Sequence, residues 1–117
     1  MSEDKLSEQS MDFSVQIIHL IKQLKEQREN VMSNQIGRSG TSIGANIREA
    51  KYAHGPADFI SKMHIALKET AETEYWIKLL HMSEYIDDKM SQSLLDDCLE
   101  IKRILIASIN TAKENHK

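Results

Sequence analysis

One helix-forming segment, QIGRSGTSIGANIREA over residues 35–50, constrains this chain most because it presents three chemically different sides. At about 100° per residue, one narrow arc is apolar like a core-facing side, with Ile36, Ile43, Ile47, Ala50 and Ala53. The adjoining arc is wholly polar, with Gln35, Arg38, Ser39, Ser42, Asn46 and Glu49. The far side is almost bare, with Gly37, Thr41 and Gly44. Such a helix needs three different neighbours, which is more typical of an interaction scaffold than of a catalyst.

The rest of the chain predicts an all-α protein. Its 117 residues match the size of one domain, and it has only one proline and four glycines. Apolar residues recur at helical spacing, with no alternating pattern of the kind that marks strands. We predict helices over residues 11–27, 30–53, 57–82 and 91–114, with residues 1–10 flexible. Short connections between long amphipathic helices predict an antiparallel up-and-down four-helix bundle, a single domain over residues 1–117.

The three connections between the predicted helices differ in how clearly the sequence signals them. His54-Gly55-Pro56 is a stop and restart signal, with glycine at a C-cap site and proline in the next first turn. Ser91 is a candidate N-cap of the last helix. The break after the first helix falls in KEQREN, which contains neither glycine nor proline. Composition alone therefore hardly separates the first two helices.

The chain has the features of a cytoplasmic protein. Cys98 is the single cysteine, which excludes an intrachain disulfide and suits a reducing compartment. The start, MSEDKLSEQS, is acidic and polar, unlike a signal peptide. No apolar run approaches the roughly 20 residues that cross a bilayer, so we expect no membrane partner.

The third predicted helix carries apolar residues on two sides. Ile65, Trp76 and Leu79 lie roughly opposite its inward stripe, interleaved with Glu69 and Glu72. A large tryptophan can be partly exposed in a monomer. We favour the alternative that another subunit covers this side. The resulting candidates for an oligomer interface are Ile65, Trp76 and Leu79, together with the bare Gly37 and Gly44.

No pattern in the chain predicts catalysis, a cofactor or a metal site. Metal-binding four-helix bundles use Glu-x-x-His pairs, and none of the five histidines has a carboxylate three positions earlier. GRSGTSIG lacks the Gly-Lys-Ser/Thr ending of a phosphate-binding loop. Cys98 falls within an apolar stripe, a typical core position. Ser39 and Ser42 have no activating base at local spacing. We therefore predict that the protein is not an enzyme.

The polar arc belongs to a longer pattern, Q-x-x-R-S-x-x-S-I-x-x-N-I-x-E, followed by K-x-x-x-A and a glutamate-rich segment. The residues that match it are Gln35, Arg38, Ser39, Ser42, Ile43, Asn46, Ile47, Glu49, Phe59, Lys62, Ala66 and Glu72. The pattern resembles the bacterial four-helix-bundle family named for the 23S rRNA intervening sequences, over most of the chain. The resemblance implies a small up-and-down bundle that assembles into a ring-like homopentamer. It also implies a helix break near residues 26–30.

The resemblance leaves two functions open. A related branch of the family comprises accessory proteins of diversity-generating retroelements, which bind nucleic acid and a reverse transcriptase. The net charge of −3 opposes this reading, because phosphate binding needs clustered cations. The weak candidates for such a cluster are Arg48, Lys51, Lys62 and Lys68. We therefore favour a homo-oligomeric scaffold that does no chemistry, with a nucleic-acid-associated accessory protein as the alternative.

Overall fold

The computed structural model describes residues 2–115, and the side chains of residues 5–115. It contains four α-helices: α1 over Ser2–Glu26, α2 over Val31–Ala50, α3 over Pro56–Met82 and α4 over Asp88–Asn115. Each helix packs against the next one along the chain, and α4 closes the bundle against α1. Because the connections are short, adjacent helices run antiparallel in a body of 49 × 22 × 20 Å. The predicted all-α four-helix bundle is confirmed.

The core is a continuous column of apolar side chains to which all four helices contribute. Phe13, Ile17, Ile43 and Ile77 have at most 1% of their surface exposed, and Cys98 lies among them with none. Aliphatic side chains recur at three- and four-residue intervals on each helix, which is the pattern that builds such a column. Between residues 2 and 115 no helix is both long and apolar enough to span a membrane.

The first helix begins earlier than its predicted start. The first helix was predicted to begin at residue 11, and α1 begins at Ser2. That predicted start was wrong because Leu6 lies two turns before Phe13 and continues the same buried stripe. Ser10 is also buried, and its hydroxyl donates a 3.1 Å hydrogen bond to the carbonyl oxygen of Ser7.

The turn between α1 and α2 depends on a residue in the left-handed conformation that is not glycine. Arg28 has a φ of 61°, and the amide of Glu29 donates a 2.8 Å hydrogen bond to the carbonyl of Leu24. This six-residue bond ends a helix in the Schellman manner. The turn after α3 repeats it, with Glu84 at a φ of 67° and Tyr85 bonded to Leu80 at 2.9 Å. Both turns lack the glycine that usually marks such a site.

The boundaries of α2 and α4 differ by about a turn from their predicted positions. α2 ends at Ala50, three residues before the predicted end. α4 begins at Asp88, because the Asp87 carboxylate accepts a 2.8 Å hydrogen bond from the amide of Met90. Asp87 is therefore the N-cap, and Ser91, which was predicted to cap this helix, is a buried residue within it.

Candidate functional site

Each side of α2 meets a different neighbour. The apolar side faces the core, where Ile36 and Ile43 have no exposed surface. The bare side faces α1: a Cβ atom on Gly37 would lie 2.8 Å from Ile21 Cδ1, and one on Gly44 would lie 3.5 Å from Ser10. Gly37 and Gly44 were predicted to belong to an oligomer interface. Within the chain, α1 occupies the space beside Gly37, whereas Gly44 lines a groove between α1 and α2.

The polar arc of α2 faces α3 and forms a seam between the two helices. Near its middle, the buried hydroxyls of Ser39 and Thr73 share a hydrogen bond of 2.9 Å. Toward the end of α2, Lys62 Nζ lies 3.6 Å from Glu49 Oε1. Polar groups that lose water at a helix contact need hydrogen-bonding or charged partners. Ser39 and Glu49 of this arc find such partners on α3, so the contact between the two helices does not require aliphatic residues here.

An ion-pair cluster lies beside the hydroxyl pair at the outer edge of the seam. The guanidinium of Arg38 donates to both carboxylate oxygens of Glu69, at 3.3 and 3.1 Å, and to Glu72. Glu72 also accepts a 3.0 Å hydrogen bond from the indole nitrogen of Trp76. Arg38, Glu69, Glu72 and Trp76 form what we call the Arg38 cluster.

The Arg38 cluster favours the charged forms of its members. Hydrogen bonds from Trp76 and then from Arg38 lower the pKa of Glu72, although partial burial opposes them. The hydrogen bond with Glu72 raises the pKa of Arg38. The carboxylate thus holds the indole and the guanidinium in fixed positions at the protein surface.

The remaining residues of the polar arc form bonds within α2 or lie in solvent. Ser42 donates to the carbonyl of Arg38 at 2.6 Å, and Asn46 donates to the carbonyl of Ser42 at 2.9 Å. Gln35 is exposed. The six residues that sequence periodicity grouped together therefore do not converge on one site.

The predicted interface candidates on α3 lie at the outer surface beside the Arg38 cluster. Ile65 is 38% exposed, whereas Trp76 and Leu79 are half-buried. Sequence analysis missed Tyr75, which is 59% exposed and meets Trp76 edge to face, with ring centroids 5.0 Å apart. The only signal for it was an aromatic residue on an outward helix position. We call Ile65, Tyr75, Trp76 and Leu79 the α3 apolar patch.

The weak nucleic-acid candidates lie at the end of α2 and in the first half of α3. Arg48, Lys51 and Lys68 are exposed, and Lys62 is half-buried beside Glu49. Three of the four therefore extend into solvent. Three cations are too few to outweigh the net negative charge of the chain. Any electrostatic attraction to phosphate would therefore act only at short range.

The nucleophilic and metal-ligating side chains of the described residues lie at separate places in the bundle, with Cys98 in the core and the His81–Asp88 pair at the surface. Burial raises the pKa of the Cys98 thiol to about 12, with smaller contributions from Glu74 and Asp97. No three histidine, cysteine or acidic side chains within the described part of the chain are placed to hold a metal ion. His81 pairs with Asp88 at 2.6 Å across the last turn, and His116 lies outside the described residues.

The fold and this site define an all-α bundle whose polar side chains connect its helices. The chain belongs to the 23S rRNA-intervening sequence protein family, whose model matches residues 3–107. It is similar to a crystal structure of a protein of unknown function from the S23 ribosomal protein family of Bacteroides thetaiotaomicron VPI-5482. The two share 51% sequence identity and a TM-score of 0.92, over 94% of this chain and 99% of that one. No curated protein matches the chain.

Proposed function

We propose that this protein is a scaffold without catalytic activity that assembles with copies of itself, as a homopentamer in line with the family resemblance. The surface of α2 and α3 that carries the Arg38 cluster and the α3 apolar patch forms one half of the subunit contact. The observation that carries the proposal is Trp76, half-buried in its own chain and held by Glu72 at the surface.

The chemistry of this surface supports a protein contact. Tryptophan, tyrosine and arginine are enriched in the central residues of interfaces, where they contribute most of the binding energy. Trp76 and Arg38 are both fixed by Glu72, so association would cost little additional side-chain ordering. Tyr75 and Ile65 extend the apolar area on the same helix.

The reactive groups of the chain support a role without catalysis. The Cys98 thiol stays protonated at neutral pH, and the thiolate is the nucleophilic form of cysteine. The hydroxyls of Ser39 and Thr73 bond to one another within the seam. These groups serve packing and the specification of neighbours.

Light scattering coupled to size exclusion tests the assembly. We expect a particle of five times the 13.4 kDa chain mass at micromolar concentration. Trp76→Glu should give a monomer that keeps its helical circular dichroism, because the carboxylate would be buried without a partner. Leu99→Glu is the matched control, since Leu99 is 61% exposed on α4, and it should leave the mass unchanged. A monomeric wild-type chain would overturn the proposal.

Binding to nucleic acid is the second candidate, favoured by the exposed Arg48, Lys51 and Lys68 and by the family description. A ring would repeat these cations around one rim, which the net charge of one chain does not reveal. Fluorescence anisotropy with an RNA hairpin and a DNA duplex, from about 50 to 200 mM salt, measures affinity and its salt dependence. We expect only weak, salt-sensitive binding. Sub-micromolar binding at the upper salt concentration would make nucleic acid the principal partner, in place of a protein such as a reverse transcriptase.

A further inference from the structure

A second apolar stripe runs along the outside of α1, separate from the stripe that enters the core. Met11, Val15 and Ile18 have 59%, 48% and 43% of their surface exposed. Their spacing of four and then three residues places them on one side of the helix. Single exposed apolar residues are ordinary, whereas a continuous apolar stripe on a surface marks a contact site.

A groove between α1 and α2 lies beside this stripe, and Met11 forms part of its wall. Its volume is about 350 Å³, and most of its lining is short side chains: Ser7, Ser10, Ser14, Thr41, Gly44 and Ala45. The hydroxyls of Ser10, Ser14 and Thr41 donate to carbonyl oxygens of their own helices, at 3.1, 3.0 and 2.7 Å. An apolar side chain can therefore cover the groove without depriving these donors of partners.

The α1 stripe and the α3 apolar patch overlap in height along the bundle. Lys62 of α3 pairs with Glu49 of α2, and Ile65 follows Lys62 by nearly one turn. Because α2 and α3 are antiparallel, Ile65 is level with the turn of α2 that precedes Glu49, just after Gly44. Met11 lines the groove beside Gly44. Ile65 and Met11 are therefore level to within about one turn.

The α1–α2 face and the α2–α3 face are neighbouring sides of the bundle, because both include α2. Among the described residues each helix contacts its two neighbours and not the helix across the diagonal, so the four axes form a square in cross-section. Neighbouring sides then face directions about 90° apart, and a subunit of a five-membered ring needs about 108° between its two contacts. Two opposite sides would give a straight row of subunits instead.

We propose that the α1–α2 face, with the stripe Met11, Val15 and Ile18 and the groove beside it, receives the α3 apolar patch of a second copy of this chain. The inference rests on the proposed self-assembly and identifies the second half of the subunit contact. A stable contact buries about 800 Å² per partner, which is most of one long side of a body of 49 × 22 × 20 Å. The two contacts of each subunit therefore occupy two separate sides.

Trp76 also has a counterpart on the receiving face. It lies one turn beyond the buried hydroxyl pair of α2 and α3. Gly37, just beyond the same pair on α2, lies against Ile21 of α1. Trp76 is therefore level with the turn that follows Ile18, where the exposed Lys22 lies. A lysine stem and its ammonium group pack favourably on an aromatic ring, so Lys22 of the next copy covers Trp76.

The other side that neighbours the α2–α3 face, formed by α3 and α4, is less suited to this contact. It exposes Leu99 and Ile106 of α4. Lys102 lies between them in the sequence and pairs with Glu74 of α3 at 2.6 Å. A subunit docked there would remove water from this ion pair, which costs solvation energy. The lining of the α1–α2 groove is uncharged apart from the exposed Arg48.

Substitution on the α1 stripe tests the contact. The variant Val15→Glu, Ile18→Glu should have the chain mass of 13.4 kDa in light scattering coupled to size exclusion, in place of the mass of the assembly. Both side chains are exposed, so the helical circular dichroism should persist. His19→Glu is the matched control and should keep the wild-type mass, because the exposed His19 lines the cleft between α1 and α4. Leu99→Glu should keep it as well.

Cysteine cross-linking tests which surfaces meet. The variant Met11→Cys, Ile65→Cys, treated with a short bis-maleimide, should give a ladder of covalent multimers on a denaturing gel. One chain cannot join its own two cysteines, because α1 and α3 lie across the diagonal of the bundle. Each single variant should remain at the chain mass. So should the wild type, whose Cys98 has no exposed surface.

The outcomes separate this inference from the proposed function. If the wild-type chain assembles and the Val15→Glu, Ile18→Glu variant assembles equally well, the inference fails alone. Dissociation by Leu99→Glu would overturn it in favour of the α3–α4 face, and covalent dimers of the Ile65→Cys variant would show two α3 patches in contact. If the glutamate variant loses its helical signal, absence of the cross-linked ladder overturns the inference. A wild-type monomer would overturn the proposed function itself.

Discussion

The hydroxyl groups of Ser39 on α2 and Thr73 on α3 lie 2.9 Å apart in a hydrogen bond, and neither residue has exposed surface. Thr73 Oγ1 also lies 2.8 Å from the carbonyl oxygen of Glu69, one turn earlier. The pair therefore joins the two helices and satisfies a backbone group as well. A shift of α2 along α3 by one residue would separate the hydroxyls and leave the Ser39 hydroxyl buried without its partner.

Thr73→Val should reduce the free energy of unfolding by about 1–3 kcal/mol, because it leaves the buried Ser39 hydroxyl without its partner. The double variant Ser39→Ala, Thr73→Val should lose less than the sum of the two single changes, as coupled neighbours do. Urea denaturation of the four proteins measures the coupling. Ser42→Ala is the control and should change stability by less than about 0.5 kcal/mol, and strict additivity would contradict the pairing.

Substitution of Gly40 and Gly44 by alanine should have opposite effects on stability. A Cβ on Gly40 would lie 2.9 Å from Ile17 Cγ1, inside a buried contact, whereas one on Gly44 would meet Ser10 and Ser14 at 3.5 Å. Gly40→Ala should therefore destabilise the protein by about 1–3 kcal/mol through overpacking. Gly44→Ala should stabilise it by up to about 1 kcal/mol, because alanine favours the helix. The midpoints of urea denaturation measure both, and equal effects would contradict the close packing of α1 on Gly40.

Cys98 should resist alkylation in the folded protein. Its pKa of about 12 leaves almost no thiolate at pH 8, and the side chain has no exposed surface. Iodoacetamide labelling followed by mass spectrometry should modify the guanidinium-unfolded chain and spare the native one. The raised pKa also means that the folded state disfavours the thiolate, so the protonated thiol stabilises the folded state relative to the thiolate. This stabilising contribution is fully present below the ordinary thiol pKa of 9.0 and is lost as the pH rises toward 12. Rapid labelling of the native protein would contradict the burial of Cys98.

Protonation of Glu72 should change the fluorescence of Trp76, which is the one tryptophan of the chain. The lowered pKa of Glu72 places this transition below the ordinary carboxyl value of 4.5. The folded state favours the carboxylate, so its stabilising contribution is present above that value and is lost as pH falls through the native pKa. A fluorescence titration from pH 7 downward measures it. Glu72→Gln should remove the transition, and an unchanged titration in that variant would assign it to another group.

Periodicity was sufficient to predict which side of each helix faces the core. Ile36, Ile43 and Ile47 on α2 are buried at the predicted spacing, and Cys98 is buried on α4 as its place in an apolar stripe predicted. The same periodicity does not say which helix lies on either flank. Gly37 and Gly44 were therefore recognised as a close-contact surface but not as a contact with α1, because a second subunit and α1 require the same absence of side chain.

The parts of the site that sequence reasoning missed depend on long-range contacts or unusual backbone conformations. Glu72 reaches Trp76 within α3, a spacing of four that is visible in the sequence. Its second partner, Arg38, is 34 residues away, and only the packing of α2 on α3 brings them together. The left-handed turn at Arg28 could not be predicted from composition, because a residue other than glycine adopts that conformation only when the surrounding structure supports it.

The three-sided arrangement of α2 also restricts how the length of this helix can change. One inserted residue rotates everything after it by about 100°, so an insertion just before Ser39 would turn Gly40 and Gly44 away from α1 and the Ser39 hydroxyl away from Thr73. Lengthening the loop at residues 27–30 would alter neither side. Among homologous chains, insertions and deletions should therefore collect in the turns, while the spacing from Gly37 to Glu49 stays constant.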